Sequence, residues 1–106
     1  MAHATRMLLC TCSNIDEAKQ LAHSLVKEKL AACVNIVPAI QSVYEWQGRV
    51  HEDNEVLLVI KTSKLKVASL KQAILQQHSY DSPELISFEI DDGLPEYLKW
   101  IEAQTK

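Results

Sequence analysis

From Ala32 to Trp46 the chain runs for 15 residues without helical periodicity. Val34 and Ile36 share one face, and beyond Pro38 the residues Ser42, Tyr44 and Trp46 alternate with Gln41, Val43 and Glu45. Such alternation predicts a β-strand. Gln47-Gly48 then supplies a turn, and Arg49 to Lys61 reads as the return strand, apolar from Glu55 to Ile60 and polar at Glu52, Asp53 and Asn54. The pair is a long β-hairpin. Straight, its first strand spans roughly 50 Å at about 3.3 Å per residue. A domain of 106 residues has a diameter of only about 33 Å. The hairpin must therefore bend at Pro38, which cannot donate to a ladder, or protrude. Its outer half carries Val43, Tyr44 and Trp46, an apolar rib on open strand edges that proteins normally cover. Strand addition to another copy covers it most simply, so a homo-oligomer is expected. A hairpin folded back on its own domain is the alternative.

The rest of the chain fits around this hairpin. Arg6 to Cys12 is an apolar strand. Ser13 and Asn14 offer a turn and an N-cap, with Asp16 and Glu17 in the first helical turn where the dipole favours acids. Ala18, Leu21, Ala22, Leu25 and Val26 then recur at helical spacing to about Lys29. Thr62 or Ser63 caps a second helix reaching about Gln77, with Val67, Leu70, Ala73 and Ile74 as its stripe. Leu85 to Ile90 is a fourth strand whose Ile86, Phe88 and Ile90 are expected to face inward. Leu94, Leu98 and Ile101 mark a C-terminal helix. The order β-α-β-β-α-β-α predicts a single α+β domain over residues 1–106, a ferredoxin-like sandwich with an antiparallel sheet and helices on one face.

Composition narrows the function. Only Gly48 and Gly93 are present, far apart, which excludes the glycine-rich loops that cradle nucleotide phosphates. The net charge is −3, with no run of Lys or Arg, so electrostatic binding of nucleic acid or an anionic membrane is disfavoured. No apolar run is long enough to span a bilayer, and the N-terminus lacks the pattern of a signal peptide. Three cysteines, an odd number, argue against a secreted disulfide scaffold and for a cytoplasmic location with reduced thiols.

Several separate segments resemble one family. Lys29-Leu-Ala-Ala-Cys-Val-Asn-Ile-Val-Pro, Ser42-Val-Tyr-Glu-Trp-Gln-Gly, Glu55-Val-Leu-Leu-Val-Ile-Lys-Thr, His78-Ser-Tyr-Asp-Ser-Pro-Glu and Tyr97-Leu-Lys-Trp are similar, in order, to the CutA divalent-cation tolerance proteins. The resemblance implies a ferredoxin-like fold, a homotrimer built through the long hairpins and shaped like the PII signalling trimers, and a link to tolerance of copper and other divalent metals. It implies no enzymatic reaction. Cys10 falls at a position proposed as a copper ligand in some members, where two adjacent histidines complete the site. Here only His78 matches, because Gln77 precedes it. The family usually has His-Pro-Tyr where this chain has His78-Ser79-Tyr80, a change expected to loosen that loop.

Two groups of residues are candidates for function. Cys10 and Cys12 leave the same face of a strand, about 6.6 Å apart along it. With Cys33 or a histidine they form a donor set for a soft ion such as Cu(I), and the metal ligands expected from the resemblance are Cys10 and His78. Against this, cysteines on a central strand commonly serve as small buried apolar groups. Copper or another divalent cation is thus a possible ligand, with no cofactor required. The second group is Trp46, Glu55, Lys61, His78, Tyr80 and Glu84, which a trimer would gather into a pocket between subunits. There Lys61 would neutralise an anion, as in a small-molecule-sensing or signalling trimer. An ion-pair network that merely stabilises the trimer would use the same residues. His3, His23 and His51 are isolated in the sequence. No nucleophile–base–orienter spacing is present, so no catalytic residue is expected. The expected partners are other copies of the chain and metal ions.

Overall fold

The computed structural model describes residues 4–106; His3 lies outside them. Four antiparallel strands form one sheet in the order β2-β3-β1-β4. The strands are β1 (Thr5–Cys12), β2 (Cys33–Trp46), β3 (Arg49–Ser63) and β4 (Leu85–Glu89). The helices are α1 (Ile15–Lys27), α2 (Val67–Gln77) and α3 (Pro95–Gln104). This is the β-α-β-β-α-β-α order read from the sequence.

The β1 register places Leu8, Cys10 and Cys12 opposite Ile60, Leu58 and Val56. All six side chains point toward α1 and α2, where Ala18, Leu21, Leu25, Leu70 and Ile74 complete the core. The other strand face carries Met7 beside Lys61 and Phe88, and Leu9 beside Val59 and Ile86. Cys33 pairs with Lys61 on that second face. Tyr97 of α3 neighbours Cys33, and burial together with that thiol raises the Tyr97 hydroxyl above its ordinary value. Thus α1 and α2 form the layer on one face, while α3 reaches the second.

Strand β4 corrects one expectation. Leu85, rather than Ile86, Phe88 and Ile90, packs on the core. Ile86 and Phe88 stand on the second face, 48% and 44% exposed. Both faces of this sheet are apolar, so alternation alone did not identify which side of β4 meets the helices. The start of the second helix also differs. Thr62 does not cap it but donates its hydroxyl to the Leu30 carbonyl at 2.7 Å. Ser63 leads into a 3₁₀ turn (Lys64–Lys66) before α2.

The hairpin both bends and protrudes. The β2–β3 register shifts between Val37 and Ile40, and Ala39 takes a positive φ of 61°. The missing donor of Pro38 is absorbed in this bulge. Beyond it, pairing continues through Asp53 to Arg49 without interruption, so the polar residues Glu52 to Asn54 belong to the strand. Gln47 and Gly48 both have positive φ, 52° and 78°, the signature of a type I′ hairpin turn. The molecule measures 44 × 25 × 22 Å. Its far end exposes Trp46 (62%) and Val50 (76%).

Candidate metal centre and adjoining acidic cleft

Cys10, Cys12 and His78 meet at the end of the core. Their donor atoms all lie within 4.8 Å of one another, and all three residues are buried. The thiols come from alternate positions on β1, which turn them to one side. His78 comes from the C-terminal cap of α2, where its backbone N–H donates to the Ile74 carbonyl at 2.8 Å.

The imidazole is held at both nitrogens. The Tyr80 backbone N–H donates to His78 Nδ1 at 3.0 Å. Nδ1 therefore accepts, and the ring proton sits on Nε2, which donates to the Thr11 carbonyl at 2.7 Å. The Tyr80 ring leans on the imidazole with centroids 4.8 Å apart. For His78 to take a metal, one of these two bonds must be exchanged for it.

The two thiols are hydrogen-bonded to each other. Cys10 has the Thr11 carbonyl at 3.8 Å as one acceptor and the Cys12 sulfur as another. The hydrogen bond to Cys12 and then burial push the Cys10 thiol well above its ordinary value. The same bond lowers the Cys12 thiol against the opposing effect of its burial. Of the two, Cys12 is thus the thiol that ionises more readily, and a bound cation would replace the protons of both. Two thiols and an imidazole, all within 4.8 Å of one another, are a donor set suited to a soft, thiophilic ion.

An open cleft of about 590 Å³ adjoins this cluster, lined by Thr11, Tyr44, Trp46, Asp53, Glu55, Tyr80, Asp81, Ser82 and Glu84. Of the second group of candidates, the fold thus unites Trp46, Glu55, Tyr80 and Glu84, with His78 behind Tyr80. The Tyr80 hydroxyl donates to Glu55 Oε2 at 2.8 Å, and burial with that carboxylate raises the hydroxyl's pKa. Lys61 is not there. It lies six residues from Glu55 along β3, about 20 Å away, and bonds the Asn35 side chain. The cleft of a single chain is therefore acidic, with four carboxylates and no cation in its lining.

Tyr44, Asp53, Asp81 and Cys12 join these sites without having been assigned to them on the resemblance. The hairpin register brings in the first two: Tyr44 pairs with His51 and stacks on it at 5.6 Å, and its hydroxyl donates to Asp53. Alternation on β1 was the signal for Cys12. Cys33 sits on the second face and has no part in the thiol cluster. His23 is exposed on α1.

Ser79 gives its loop an added tie. Its backbone N–H, which a proline lacks, donates to Glu17 Oε2 at 2.8 Å.

Comparison with known proteins agrees with this architecture. Residues 6–104 match the family described as CutA1 divalent ion tolerance protein. The chain is 50% identical to a CutA homolog of Xenopus laevis over 91 residues, which is 86% of this chain and 60% of that protein. It is 42% identical to the divalent-cation tolerance protein CutA of Thermus thermophilus, covering 93% of this chain and 96% of that one. The crystal structure of CutA1 from Oryza sativa superposes with a TM-score of 0.95 at 42% identity, over 98% of this chain and 95% of the other. The chain spans little more than half the length of several animal and plant relatives, including 53% of a chloroplastic CutA of Arabidopsis thaliana. With the fold matched and the family model spanning residues 6–104, the chain belongs to the CutA1 divalent ion tolerance family.

Proposed function

We propose that this protein serves metal tolerance by binding one soft metal ion per chain, copper as Cu(I) foremost, through Cys10, Cys12 and His78. The observation that carries this reading is the convergence of two thiols and an imidazole within 4.8 Å in a buried site. Copper-specific action is the finer part of the proposal, and divalent-cation tolerance is the family's property. The reading places the protein in the cytoplasm, where thiols stay reduced. It assigns the protein no reaction and no catalytic residue.

The same reading makes the working particle a homotrimer. Its support is the half-exposed second sheet face and the protruding hairpin with Trp46 and Val50 in solvent. A small-molecule-sensing trimer is the second reading, favoured by the aromatic-walled cleft. An anion enters that cleft only if another copy brings a cation such as Lys61 to it.

Competition titration of Cu(I) against a chromophoric chelator tests the metal reading. Cys10→Ser and Cys12→Ser should each weaken binding by 100-fold or more (on the order of the loss of a ligand or its support), and His78→Ala by at least tenfold. Unchanged affinity in all three would sink this site.

A further inference from the structure

We infer that Glu17 is a positioning residue that latches the His78-Ser79-Tyr80 loop shut over the Cys10–Cys12 thiols, so that access to them is set by the Glu17–Ser79 hydrogen bond. The two thiols and His78 are buried, yet the residue that follows His78 is exposed. The loop is therefore a thin cover, held at a few points. His78 is tied to Thr11 and Tyr80 to Glu55. Between them Ser79 has its backbone N–H on Glu17 Oε2 at 2.8 Å.

Glu17 is itself fixed. Its other oxygen, Oε1, accepts from both the backbone N–H and the hydroxyl of Ser13 at 3.2 Å. Its own N–H donates to the Asn14 side chain at 2.8 Å, as part of the α1 N-cap. One carboxylate thus joins the end of β1, the start of α1 and the loop after α2. A proline in place of Ser79 could not take part, so the latch depends on the residue this chain carries there.

Breaking a single hydrogen bond shifts a local opening equilibrium by roughly fivefold. The consequence for metal entry rests on the proposed metal site. The latch itself does not, and a thiol reagent reads it directly. In a Cys33→Ser background, which removes the only other thiol, the two buried cysteines are reacted with 5,5′-dithiobis(2-nitrobenzoate) under native conditions. Glu17→Ala should raise the labelling rate about fivefold, and Ser79→Pro, which deletes the donor, should do the same. The double variant should be no faster than Glu17→Ala alone, because both changes remove the same Glu17–Ser79 bond. Glu17→Gln, which keeps a neutral acceptor oxygen, should raise the rate by no more than about twofold. The rates should be flat in low urea, the mark of local opening.

An unchanged rate in Glu17→Ala overturns the inference. So do multiplying effects in the double variant, or a rate that climbs with urea as steeply as global unfolding. If labelling responds as described while Cu(I) fails to bind, the latch stands and the metal reading falls. If Cu(I) binds and labelling does not respond, the latch falls alone.

Discussion

At the scale of residues, the candidate site depends on how each polar group is satisfied. The ring of His78 is fixed by one accepted and one donated hydrogen bond, so its tautomer is set before any metal arrives. The sequence already paired Cys10 with Cys12 on one strand face, and the resemblance pointed to His78. The residues alone did not decide between Cys33 and a histidine as the third donor, because His78 lies 66 positions beyond Cys12 and only the C-terminal cap of α2 turns it toward β1. Lys61 shows the opposite failure. A lysine at the end of an apolar strand looked like an anion-binding group, but it already has Asn35 on the neighbouring strand as its acceptor.

Glu17 carries a pH dependence. Partial burial pushes its carboxyl up, but the bonds from Ser79 and Ser13 outweigh this and hold it below its usual 4.5. A lowered folded value stabilises the fold fully above the ordinary carboxylate range, and the contribution fades as pH falls through the folded value. Glu17→Gln should therefore cost about 0.5 kcal/mol near pH 7, a figure reduced for solvent exposure. That difference should shrink in acid, as pH falls through the lowered folded value. Urea midpoints of the two proteins near pH 7 and in acid check it; a difference that persists undiminished in acid contradicts the assignment.

At the scale of elements, scarcity of glycine explains what was legible and what was not. The ladders were readable from alternation, and the Pro38 bend from the chemistry of proline. The corners were less so, because three of them use side-chain-bearing residues at positive φ. These are Lys29 (59°), Ala39 (61°) and Gln47 (52°). Such residues sit where glycine is ordinarily found. Lys29 follows α1 closely and begins the turn toward β2, with its N–H donating to the Val26 carbonyl at 3.1 Å. Lys29→Gly should stabilise the protein by roughly 0.5–1 kcal/mol, because it removes the left-handed penalty at a helix end. Thermal unfolding would show a rise of a few degrees; a lower melting temperature would contradict the strain argument. The reversed facing of β4 has a different cause. Ile86 and Phe88 are as apolar as core residues, and only pairing with Leu9 and Met7 assigns them to the second face.

At the scale of the molecule, the hairpin dominates. A particle 44 Å long and about half as wide exposes apolar side chains at its tip and across one sheet face. Burial of such surface at about 25 cal/mol per Å² is the main drive for association. Length against domain diameter made the protrusion readable in the sequence, whereas the acidic character of the cleft needed the hairpin register to appear. Copies assembled through the hairpins would keep the thiol site within each chain, since all three donors come from one polypeptide. Metal content should therefore scale with chain number. Native mass spectrometry of the protein equilibrated with Cu(I), beside the Cys10→Ser/Cys12→Ser double variant, reads both quantities together. The account predicts trimers with one copper ion per chain in the parent protein and copper-free trimers in the double variant. Equal copper loading of the two proteins would contradict it.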